Sequence, residues 1–156
     1  MKNKRLPLRT GVGIIVLNSE NKVFVGKRID NISDKWQMPQ GGVDKNENYT
    51  DAMKRELKEE TSISNIRIIK ELDYWLEYEL PKNLLGIIWK GKYRGQRQKW
   101  FVVKFLGGDN EINLKTKNAE FVDWKWIKID DLPKVIVDFK KHIYEQLVLE
   151  LKQINF

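Results

Sequence analysis

Two stretches rich in β-branched and aromatic residues open the chain, residues 12–17 and 22–28. Only the polar Asn18-Ser19-Glu20-Asn21 separates them, which predicts a β-hairpin. Residues 28–35 are polar and irregular. Trp36-Gln-Met-Pro-Gln-Gly-Gly42 ends in two glycines that a helix or a central strand would resist, so a loop of special backbone geometry is expected there. Residues 48–61 predict a helix, capped by Asn48 or Thr50 and ended by Ser62. Residues 66–71, 74–80 and 99–106 predict strands, with a Gly- and Lys-rich connection over 81–98. Residues 121–127 form one more strand, with Trp124 and Trp126 on one face. Leu132 and Pro133 introduce a long C-terminal helix in which Val135, Phe139, Ile143, Leu147 and Leu151 recur every fourth position. A mixed central sheet with one helix in mid-chain and one at the end predicts the α/β (α+β) class, built as an α/β/α sandwich.

Length and composition narrow this picture. The 156 residues carry apolar positions throughout and no low-complexity linker, so residues 1–156 are expected to form a single domain. Without cysteine there is no disulfide framework, thiolate nucleophile or Cys-ligated metal, which fits a cytoplasmic location. The only histidine, His142, sits in a helical stretch and reads as an ordinary helix residue, which nearly removes Ser-His-Asp triads and polyhistidine metal sites. The basic start through Arg5 and the apolar residues 11–17 imitate a secretory leader. The run is short, however, Pro7 and Arg9 interrupt its approach, and no small-residue cleavage site follows. No stretch is long enough to span a membrane. A net charge of +7 favours a polyanionic partner, although a solvated lysine surface gives the same number.

Glu56, Glu59 and Glu60 are spaced by three and four residues, so a helix places them on one face. Such crowding weakens an isolated helix, and a bound hard cation gives a reason for it. An ordinary acidic surface explains the triplet equally well when it is taken alone. The triplet is embedded in a longer pattern: Gly41, five residues, Glu47, seven residues, Arg55-Glu56-Leu57, one residue, Glu59-Glu60, then Thr61-Ser62-Ile63.

This pattern resembles the box of the Nudix family, with eight of its nine fixed positions matched over twenty-three residues. The departure is Ser62, where the family has glycine and a left-handed turn is often wanted. Outside the box, Trp36-Gln-Met-Pro-Gln-Gly-Gly42, Gly95-Gln-Arg-Gln-Lys-Trp-Phe101, Glu111-Ile-Asn113, and the segments 74–81 and 120–126 resemble the bacterial RNA pyrophosphohydrolases, close relatives of dinucleoside polyphosphate hydrolases.

The resemblance implies a Nudix fold and Mg²⁺-dependent hydrolysis of 5′-triphosphorylated RNA to 5′-monophosphorylated RNA with release of pyrophosphate, a step that promotes mRNA decay. Mn²⁺ or another divalent cation is expected to substitute. It further implies Glu56, Glu59, Glu60 and Glu120 as catalytic residues and metal ligands, with Gly41 also at the metal, and Glu47 paired with Arg55 as the structural part of the box. Arg9, Arg28 and Lys140 fall at positions near the phosphates, and Phe139 at one where a ring stacks on a base. Phe139 also lies on the apolar stripe of the C-terminal helix, a core position. Tyr78 either approaches the substrate or buttresses the sheet. A dinucleoside polyphosphate hydrolase and a non-catalytic RNA-binding module are the alternative readings. A monomer acting on RNA or a nucleoside polyphosphate is expected, with no membrane partner.

Overall fold

The computed structural model describes residues 5–30 and 33–155; residues 1–4 of the basic start and residues 31–32 of the polar stretch lie outside the described residues. The strands are β1 (Leu8–Leu17), β2 (Val23–Arg28), β3 (Gln40–Gly42), β4 (Ile66–Glu79), β5 (Gly95–Phe105) and β6 (Phe121–Ile127). The helices are α1 (Tyr49–Thr61), α2 (Leu132–Val135) and α3 (Lys141–Lys152). Six strands form one mixed sheet in the order β4-β5-β1-β2-β6, with β3 paired to β1. β1 and β5 run parallel and the other pairs antiparallel.

β1 is buried from Gly11 to Leu17, which explains why its sequence is continuously apolar rather than alternating. Its odd and even side chains serve different layers. Ile15 and Leu17 join Val25, Trp100 and Val102 under α2 and α3, whose contribution is Leu132, Ile143, Tyr144 and Leu147. Ile14 and Val16 join Phe24, Phe101 and Val103 under Ala52, Met53 and Leu57 of α1. The α/β/α sandwich is therefore present. Trp124 and Trp126 do share a face, both packed on the α1 side. Among the described residues no helix is long and apolar enough to cross a membrane.

Four expectations change. Residues 66–71 and 74–80 form a single strand, β4, whose pairing to β5 shifts register between Ile68 and Lys70 and again between Glu71 and Trp75. These irregularities break the side-chain alternation, which is why the sequence reads as two strands. β5 begins at Gly95, inside the supposed connection. The 36–42 segment is no free loop. Gln37 exchanges both backbone hydrogen bonds with Gly26 (2.7 and 2.9 Å), and Gln40, Gly41 and Gly42 pair with Gly13, Val12 and Gly11. Finally, the long C-terminal helix is broken: Ile136 is extended (φ −86°, ψ 154°), residues 138–140 form a 3₁₀ turn, and only then does α3 begin. The Trp36 amide takes the Val135 carbonyl at 2.8 Å, removing an acceptor that a continued helix would need.

Candidate active site

α1 is started by Asn48, whose Oδ1 accepts the Asp51 amide at 2.8 Å, and is stopped by Ser62 in the left-handed conformation (φ 68°, ψ 5°). The turn expected at the departure from the box is thus formed by serine. Its Oγ donates to the Asn113 carbonyl at 2.8 Å, and the Asn113 amide donates back to Thr61 O, so the strained cap is tethered.

Between these ends Arg55 is the central connector. Its Nε and Nη2 bind the two oxygens of Glu47 at 2.8 and 2.9 Å, and Nη2 also reaches the Gly42 carbonyl at 2.9 Å. Hydrogen bonding from Arg55 holds the Glu47 carboxyl down to a pKa of about 2. Beyond the expected pair, Nη1 contacts Glu56 at 2.9 Å and Glu59 at 3.3 Å. The guanidinium therefore stands between two of the three box carboxylates.

Glu56 and Glu60 face a cleft of about 760 Å³, which they line together with Gly41, Arg9, Arg28, Glu120, Tyr78, Phe139 and Lys140. Glu59 does not join them. It lines a separate hollow of about 350 Å³ with Arg55, Lys58 and Lys117. Glu56 and Glu60 share the cleft with Glu120, which arrives from the residue just before β6. Among the described residues no group of three carboxylates is gathered tightly enough to enclose an ion as it stands. Close approach of Glu56 to the backbone requires glycine at position 41, because a Cβ there would lie 2.0 Å from the Glu56 carboxyl carbon.

Glu60 is only 4 % exposed, and its Oε2 has no hydrogen-bond partner. Burial, reinforced by the charges of Glu56 and Glu120, pushes its pKa well above the usual carboxylate range. Glu56 is also raised by burial, against the opposing pull of Arg55. A buried orphan carboxylate oxygen beside further oxygen donors suits a hard divalent cation.

Arg28 is gripped by Asp30 through two bonds of 2.9 and 2.8 Å and lies 3.4 Å from Glu120. Asp30 was not foreseen from the sequence; its position two residues after Arg28 is the one available signal. The Arg9 guanidinium lies 5.5 Å from the centroid of Trp89, another unforeseen wall of the cleft. Phe139 sits on the 3₁₀ turn rather than on a helical stripe, with its ring 5.7 Å from that of Tyr78. Lys140 is half-buried and lines the cleft, with its ammonium over the Tyr78 ring at 4.9 Å. Desolvation there lowers its pKa to about 8. Tyr78 is buried, and its hydroxyl is pushed up to about 12.

A family model described as the NUDIX domain matches residues 7–147. The chain belongs to the Nudix family. An RNA pyrophosphohydrolase of Pelagibacter ubique (strain HTCC1062) is 63% identical over 149 residues, covering 96% of this chain and 94% of the relative. An RNA pyrophosphohydrolase of Rhodopseudomonas palustris (strain BisA53) is 46% identical, covering 97% and 91%. Among solved structures, the E. coli dihydroneopterin triphosphate pyrophosphohydrolase superposes with a TM-score of 0.69 at 20% identity, covering 94% of this chain and 99% of its own. A C. elegans Ap4A hydrolase complex gives 0.65 at 18% identity, covering 92% and 99%. These two likenesses establish the Nudix fold, with the box on α1 and the segment before it. Nudix enzymes generally use divalent cations, in keeping with the oxygen-rich donor set around Glu60.

Proposed function

We propose that this single-domain Nudix protein is a Mg²⁺-dependent hydrolase that converts 5′-triphosphorylated RNA to 5′-monophosphorylated RNA and pyrophosphate, the step that opens an mRNA to decay. The observation carrying this reading is the composition of one cleft. Buried Glu60 and neighbouring Glu56 lie beside the cations Arg9, Arg28 and Lys140, and the same cavity continues into the Phe139 and Tyr78 rings. The 63% identity to an RNA pyrophosphohydrolase supports the same substrate.

Glu56, Glu60 and Glu120, with the Gly41 carbonyl, are the cleft groups that would hold Mg²⁺ or Mn²⁺, and Glu59 would join them on leaving its contact with Arg55. Such an ion supplies neutralisation of the polyphosphate and a bound water of lowered pKa. Arg9, Arg28 and Lys140 bind phosphate oxygens through charge-assisted hydrogen bonds. Water forms the new bond to the α-phosphorus, the α–β bridging bond breaks, and pyrophosphate leaves. Glu60 or Glu120 accepts the proton of that water, a role open to Glu60 because burial has raised its affinity for a proton. Phe139 offers its face to a nucleobase, the usual mode of holding single-stranded RNA.

The test is incubation of the protein and Mg²⁺ with RNA labelled at its β- and γ-phosphates. Labelled pyrophosphate and a 5′-monophosphate end are expected. A higher kcat/KM on diadenosine tetraphosphate than on the RNA would instead assign a dinucleoside polyphosphate hydrolase.

A further inference from the structure

The Gly95-Gln-Arg-Gln-Lys-Trp-Phe101 segment supplies nothing to the chemistry above, yet its even-numbered side chains are almost fully buried: Gln96 is 0 % exposed, Gln98 1 % and Trp100 1 %. β1 leaves room for them. A Cβ on Gly11 would lie 2.1 Å from Gln96 Nε2, and one on Gly13 would lie 2.4 Å from Trp100 Cε2. Trp100 Nε1 donates to Gln98 Oε1 at 3.1 Å. Gln98 Nε2 in turn donates to Gln96 Oε1 at 3.1 Å and to Gln40 Oε1. Tyr78 donates its hydroxyl to Gln96 Oε1 at 3.0 Å, and the Gln40 side chain is near enough to the same hydroxyl to oppose the upward shift of its pKa.

A glutamine amide can be turned end for end, but an indole N–H only donates. Trp100 therefore fixes Gln98 with its oxygen toward the indole, and both amide hydrogens of Gln98 go to Gln40 and Gln96. Gln40 must accept with its oxygen and turn its Nε2 away from Gln98. That leaves the Nε2 hydrogens for the cleft, which Gln40 lines with Tyr78, Arg28 and Glu60. Gln96 Nε2 ends buried without a partner, the mark of an orientation imposed by neighbours.

We propose that Gln40 is a substrate-binding residue that donates its side-chain amide to a phosphate oxygen, and that Gln98 and Trp100 are positioning residues that keep this donor facing the cleft. Phosphate oxygens accept and never donate, so a reversed Gln40 would oppose them with its own carbonyl oxygen. The inference rests on the polyphosphate part of the proposed function and is independent of whether RNA is the nucleoside portion.

The experiment uses inorganic triphosphate with Mg²⁺ as a calorimetric probe, alongside steady-state hydrolysis of triphosphorylated RNA. Gln40→Ala is expected to weaken triphosphate binding and raise KM about tenfold, with kcat within about twofold. Gln98→Glu accepts from Trp100 but cannot donate to Gln40, so Gln40 reverses and the loss is at least as large, although residue 98 does not touch the substrate. The double variant is expected to be no worse than Gln40→Ala alone, because Gln98 acts through Gln40. If the buried carboxylate prevents folding, Gln98→Met, which removes the donor without adding charge, takes its place in the cycle. Multiplying losses in the double variant, or wild-type triphosphate binding by Gln40→Ala, would overturn the proposal. Failure of the wild-type protein to bind triphosphate would instead overturn the polyphosphate reading, and this inference with it.

Discussion

Arg55 grips Glu47 with two hydrogen bonds, 2.8 Å from Nε and 2.9 Å from Nη2, and so fastens the loop before α1 to the middle of that helix. A planar fork makes this bond and a lysine ammonium does not. Arg55→Lys is therefore expected to lose about 2 kcal/mol of stability, from the usual value of charge-assisted hydrogen bonds. For a domain of this size that is a fall of roughly 4–8 °C in Tm. An unchanged thermal melt would mean that the loop is held by other contacts.

The same pair sets an acid limit. Glu47 is held at about 2 when folded, against an ordinary value of 4.5, so its contribution is complete above about pH 4.5 and disappears as pH falls toward 2. In Tm measured against pH, wild type and Glu47→Gln are expected to differ most at neutral pH and to converge near pH 2. A constant gap across that window contradicts the assignment.

Glu60 behaves oppositely. Its raised pKa means that the ionised form is disfavoured by folding, so at neutral pH and in chelator Glu60→Gln is expected to melt no lower than wild type. Turnover, in contrast, should fall by roughly three orders of magnitude or more, because the group serves the reacting centre. Circular dichroism melts and single-turnover rates on the same preparations separate the two effects. Near wild-type turnover would remove Glu60 from the mechanism.

Lys140 is a cation only below its lowered pKa of about 8. KM for triphosphorylated RNA is expected to rise between pH 7 and 9 as the ammonium loses its proton. Lys140→Met should show a high KM at pH 7 and little change across that range. A KM profile of the wild type that is flat to pH 9 would place the lysine away from the phosphates.

Ser62 balances a left-handed backbone against its bond to Asn113. Ser62→Ala keeps the strain and loses the bond, and is expected to cost about 1 kcal/mol. Ser62→Gly relieves the strain as well and should change Tm less, with activity kept in both. A large loss of activity at unchanged Tm would give Ser62 a role that its position does not suggest.

The box was legible because residue type and spacing are one-dimensional facts: Glu56 and Glu60 had to share a helix face once α1 formed. Glu59 lines the neighbouring hollow although Arg55 contacts both it and Glu56, a difference between neighbours that spacing does not express. The break at Ile136 was hidden for a related reason. Val135 and Phe139 continue the four-residue rhythm of α3, whereas the Trp36 amide that takes the Val135 carbonyl is distant in sequence. Gln96 and Gln98 stand among Arg97 and Lys99 in a stretch that is polar throughout, and nothing in that stretch announces that they are buried.

Phe139 and Lys140 ride on a short turn between α2 and α3, while Ile136 before them and Ile143 after them plug the core. Phe139 leans on the same core that the two isoleucines fill, so the wall of the cleft at this turn is held in place by the packing beneath it.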